Sequence, residues 1–89
     1  METAEARLKR MAMRSWRRGT KEMDLVLGPY ADAMLSAMSR DELNAYDSLL
    51  DEGDPDLIAW MLGQKEPPLT HAALLKRLAT FAEGRLRQI

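Results

Sequence analysis

His71 and the acids between Asp47 and Asp56 are the residues whose types could carry catalysis or hold a metal ion. A single imidazole, in a chain with no cysteine, cannot supply the ligands of an ordinary zinc site. His71 could join a Ser-His-Asp set only with Ser15, Ser36, Ser39 or Ser48, and no G-x-S-x-G turn presents any of them. It falls in the first turn of a predicted helix and reads as a surface or capping residue. The run from Asp51 to Asp56 lacks the alternating ligands of a calcium loop, and Pro55 interrupts it. Gly53 and Asp54 read instead as the stop of one helix and the N-cap of the next. No glycine-rich loop follows a strand, so neither a dinucleotide fold nor a P-loop is indicated. No catalytic residue, no metal ligand and no enzymatic activity is expected.

Arg18-Gly19-Thr20-Lys21-Glu22 invites a different chemistry. On one reading Gly19 only stops a helix, while Glu22 and Asp24 are first-turn acids suited to the positive end of the next. On the other, glycine lets another chain approach the backbone, with an exposed arginine fork and a carboxylate supplying directional contacts on either side. The neighbouring Trp16 is either an interface anchor or a core residue.

These residues sit in a marked charge asymmetry. Arg7, Lys9, Arg10, Arg14, Arg17, Arg18 and Lys21 place seven of the 13 basic residues in one short stretch. Asp41, Glu42, Asp47, Asp51, Glu52, Asp54 and Asp56 form an acidic middle, for a net charge of −1. Such a dipole speaks to partners and approach. The basic helix has three readings: a solvated face, a docking face for an acidic protein, or the footprint of a nucleic-acid-binding or antitoxin-like regulatory module.

The elements that must position these residues are helical throughout. Thr3 caps a helix running to about Arg17, and Gly19 stops it. A second begins near Thr20 with Met23, Val26, Leu27, Tyr30, Met34 and Met38 as its apolar stripe, and Gly28-Pro29 predicts a kink or break. Ser39 and Glu42 form a capping box for a third helix, whose inward residues are Leu43, Tyr46, Leu49 and Leu50. Asp54-Pro55 starts a fourth, closed by Gly63. Thr70 caps a fifth, which turns Leu74, Leu75, Leu78 and Phe81 inward, and Gly84 opens a frayed tail over about 85–89.

The expected fold is therefore all-α, a compact bundle of five short helices forming a single domain over residues 1–89. A chain of this length buries only ~60–65% of its unfolded surface, enough for one modest core. Seven methionines suit irregular helix contacts. No apolar run approaches the ~20 residues that cross a bilayer, and no apolar h-region follows the basic start. A mature bacterial cytoplasmic protein, monomeric when free and without membrane insertion, is the expectation.

The run from Arg14 through Leu27, which contains R-G-x-x-E followed by Asp24 and an apolar helix, resembles the signature of the SdhE family of small succinate dehydrogenase assembly factors. A second match lies at Asp54-Pro55-Asp56-Leu57 with Trp60, a D-x-D-L-x-x-W-like stretch. The resemblance covers about Arg10 to Leu78. It implies a five-helix bundle that binds the flavoprotein subunit of succinate dehydrogenase, and in bacteria also that of fumarate reductase. It further implies that the small factor promotes covalent attachment of FAD to a histidine of that subunit. The FAD then belongs to the client, and no cofactor is held stably by this chain. By position, the implied partner-binding residues are Arg18, Gly19 and Glu22, with Arg14 and Asp24 on the same surface. No nucleic acid is implied as a partner.

Overall fold

Thr3 turns its hydroxyl toward the free N–H of Ala6, at 3.0 Å, and the first helix, α1, runs from Ala4 to Trp16. This is the first element of a computed structural model that describes residues 2–87, with side chains from 2 to 84. Met11 and Ser15 face inward from α1, one turn apart. The second helix, α2, spans Lys21–Met34 and continues into a 3₁₀ turn over Leu35–Ala37. Ser39 and Glu42 make the reciprocal capping box, and α3 follows from Arg40 to Leu50. The short α4 covers Asp54–Met61, and α5 covers Leu69–Arg87.

The all-α bundle of five helices is as expected, with differences at four places. Helix α2 runs unbroken through Gly28-Pro29. Proline removes only its own bond to the Leu25 carbonyl, and buried Met23, Leu27 and Tyr30 hold the two halves to one core. The break comes later, at the 3₁₀ turn. Asp54 is not an N-cap: Gly53 takes that position, and the Asp54 carboxylate is engaged elsewhere. Helix α5 begins at Leu69, so Thr70 lies inside its first turn. It also continues past Gly84 to Arg87, which replaces the tail expected there, while residues 88 and 89 lie outside the described residues.

The core gathers where the helices converge. Leu27, Tyr46, Leu49, Leu57 and Leu78 are fully buried, and each such leucine contributes roughly 1.5–3 kcal/mol. Tyr30 links the layers, with its ring edge-on to Phe81 at 5.3 Å and tilted against Tyr46 at 5.9 Å. A polar node lies among these side chains. Ser15 donates to the Met11 carbonyl at 2.8 Å, and the Tyr46 hydroxyl lies 2.7 Å from Ser15 Oγ. Desolvation there pushes the Tyr46 phenol up to about 12.

The charge asymmetry turns out to be a packing device. Arg7, Arg10 and Arg14 lie three and four residues apart on one face of α1, and that face is laid on the acids of α3 and the segment after it. Arg10 meets Asp47 through two nitrogens at 2.8 and 3.0 Å, and Arg7 reaches Asn44 at 2.7 Å. The Arg10 bond holds the Asp47 carboxyl below the usual carboxylate range. Arg14 donates to the Leu50 carbonyl at 2.9 Å and to Asp51 at 3.1 Å. Arg7, Arg10 and Arg14 of the basic helix are therefore neutralised by Asp47 and Asp51 within the chain.

Candidate functional site

Residues 17–20 carry the chain from α1 to α2, and Gly19 adopts φ +103°, a left-handed conformation that suits glycine. Nothing lies within 4 Å of where a Cβ on Gly19 would stand, so this backbone is open to a partner.

Arg18 is the residue the structure treats most differently from expectation. Its side chain is only 9% exposed, and it does not project as a fork. Nε donates to Asp54 Oδ1 at 3.0 Å, while the two terminal nitrogens donate to the carbonyls of Leu50 and Glu52, both at 2.6 Å. The backbone N–H of Arg18 donates to Asp24 Oδ1 at 2.6 Å. Asp24 thus faces inward and pins the start of the turn. Asp54 uses its second oxygen to accept from the Thr20 hydroxyl at 2.8 Å. The result is a clasp in which one buried carboxylate holds the residues on both sides of Gly19.

Around the clasp lie groups that remain available. Arg17, Lys21 and Glu22 are exposed, and among the described residues their side chains have no hydrogen bond or ion pair. Leu25, one turn along α2, is 53% exposed. Of the five residues assigned from the sequence to partner contact, Gly19 and Glu22 lie open on this corner. Arg14, Arg18 and Asp24 lie behind it, engaged within the chain.

Three residues near the corner have roles that sequence reasoning missed. Thr20 stands at the N-cap position of α2 but gives its hydroxyl to Asp54, and the only signal was its place beside Gly19. Trp16 is a packing residue as well as a surface one: it is 40% exposed, its N–H donates to Asp32, and its indole covers Gly28. His71 is buried, contrary to the surface or capping reading. It lies 3.6 Å from Glu52 and 6.0 Å, centroid to centroid, from the Trp60 ring. The Glu52 carbonyl receives Arg18, so α5 supports the clasp from behind through the 51–53 segment. No group of three or more His, Asp or Glu side chains converges as a cation site among the described residues.

A small helical bundle with an open glycine corner is what the fold and site define. Residues 9–82 match the model of the family described as flavinator of succinate dehydrogenase, and the chain belongs to that family. It is 38% identical over 85 residues to "Succinate dehydrogenase assembly factor 2, mitochondrial" of Saccharomyces cerevisiae, covering 90% of this chain and 52% of that protein. The protein of the same name from Yarrowia lipolytica is 44% identical over 93 residues, covering 99% of this chain and 64% of that one. "FAD assembly factor SdhE" of Aliivibrio fischeri is 33% identical over 72 residues, covering 80% and 84% respectively. The chain spans about half the length of the Saccharomyces relatives it matches. No helix among the described residues is long and apolar enough to cross a membrane.

Proposed function

We propose that this chain is an assembly factor that binds the flavoprotein subunit of succinate dehydrogenase and favours covalent attachment of FAD to it. Family membership and the printed names of its relatives support the reading. The observation that carries it is the corner itself, where an open glycine backbone stands beside Arg17, Lys21 and Glu22, whose side chains have no partner among the described residues. In this reading the factor is not an enzyme and holds no cofactor of its own. The FAD and the bond-forming chemistry belong to the client, and the factor acts by preferring one client conformation over another. The fumarate reductase flavoprotein is a second client by the same logic, and the factor works in the bacterial cytoplasm as a monomer.

The nucleic-acid alternative loses its main motive. Arg7, Arg10, Arg14 and Arg18 are bound to this chain's own acids and carbonyls, so they do not form a free basic stripe.

Co-expression with the flavoprotein subunit in cells lacking the native factor tests the reading. The expected result is a one-to-one complex and flavin fluorescence that stays with the subunit in a denaturing gel. Absence of both with the wild-type chain overturns it.

A further inference from the structure

We propose that Arg18 is a positioning residue, which with Asp54 and Thr20 sets the shape of the Gly19 corner without itself touching the partner. The proposal rests on the reading that this corner meets the flavoprotein subunit. To reach another protein the Arg18 guanidinium would have to leave Asp54 and two carbonyls. All three bonds lie on a side chain that is 9% exposed, opposite a carboxylate that is 8% exposed. Opening that arrangement strands a buried carboxylate, which strongly disfavours it. The geometry around Gly19 gives the clasp its purpose. Asp54 Oδ1 holds Arg18 and Oδ2 holds Thr20, so the two neighbours of Gly19 are tied to one carboxylate. Asp24 fixes the Arg18 N–H as well, which leaves little freedom for the φ of +103° between them. The residue that shapes the corner thus comes from the start of α4, in the second of the two segments that carry the family resemblance. Direct contact falls to the open groups, Gly19 and Glu22, with Arg17 and Lys21 beside them.

The test compares Asp54→Asn, Thr20→Val, Thr20→Ser and Glu22→Ala in the full chain. Affinity for the purified flavoprotein subunit is read by calorimetry and the Gly19 amide by NMR, with helix content as control. Asp54→Asn is expected to weaken binding at least tenfold and to shift and broaden the Gly19 resonance. Thr20→Val keeps the side chain's volume and is expected to lower affinity several-fold with helix content unchanged, while Thr20→Ser restores it. Glu22→Ala is expected to weaken binding with the Gly19 resonance in place. If Asp54→Asn unfolds the chain, the Thr20 pair decides. Wild-type affinity in Asp54→Asn or Thr20→Val, or an unmoved Gly19 resonance in both, overturns the positioning role. Failure of the wild-type chain to bind the subunit overturns the functional reading instead, and the Gly19 resonance still decides the clasp.

Discussion

The indole of Trp16 occupies the space where a β-carbon on Gly28 would have to stand. That contact lets the end of α1 lie directly on the backbone of α2, and the Trp16 N–H is then within 3.2 Å of both Asp32 oxygens. In an isolated helix Gly28→Ala would gain roughly 1 kcal/mol from propensity. Here the added methyl must displace an aromatic ring, and overpacking of that kind costs about 1–3 kcal/mol. The variant is expected to melt at lower temperature than the wild type. In a Trp60→Phe background its fluorescence should shift to the red as Trp16 swings into water.

Breaking the Arg18–Asp54 clasp should cost more than any surface change. Arg18→Met leaves Asp54 and two carbonyls without their donor, and losses of about 3–5 kcal/mol are usual when one side of a buried pair is removed. Asp54→Asn keeps a polar acceptor and should cost less, about 1–3 kcal/mol. Urea unfolding of the two variants beside the wild type measures the order, and equal midpoints in all three would contradict it.

Acid should loosen α1 from α3. Asp47 titrates below its ordinary value of 3.8, chiefly because Arg10 hydrogen-bonds its ionised form. A depressed carboxyl contributes stability that is present above the unfolded value and is lost as pH falls through the folded one. Stability should therefore be level above pH ~4–5 and decline below it. Asp47→Asn should be about 1 kcal/mol less stable at neutral pH, since both partners are partly in water, and flatter in acid. Urea midpoints across that range give both comparisons.

Base should act through Tyr46. Burial raises its phenol from 10.0 to about 12, so its contribution is complete below pH 10 and is lost as pH rises toward 12. Tyr46→Phe is expected to be about 1 kcal/mol less stable at neutral pH, having lost the bond to Ser15. Above pH 10 it should lose stability more slowly than the wild type, with the residual slope coming from Tyr30, which burial also raises. Thermal unfolding followed by circular dichroism from pH 8 to pH 12 reads both effects.

What was legible in the sequence was local chemistry. Thr3, Gly19 and the Ser39–Glu42 box announce helix ends because a cap or a left-handed glycine needs only its immediate neighbours. The inward residues of α3 and α5 followed from periodicity, since Leu49, Leu50, Leu74 and Leu78 repeat on faces wide enough to bury. Several of the features misread depend on chain far away. Asp54 looks like a cap until Arg18 arrives from 36 residues earlier, and His71 looks superficial until Glu52 and Trp60 cover it. Pro29 suggests a break because the packing that keeps α2 whole is not visible along the helix. The corner was readable as a glycine turn. Which of its side chains faced outward was not, because that depended on who claimed the arginines first.

The pairing of the basic helix with the acidic middle has a consequence for how a partner is found. With Arg7, Arg10, Arg14 and Arg18 answered inside the chain, the open corner presents two cations, Arg17 and Lys21, against one anion, Glu22. A nearly balanced patch projects little field beyond a Debye length, which is ~8 Å at physiological ionic strength. Encounter with the proposed client is then governed by diffusion and shape, and its rate should change little as salt is added.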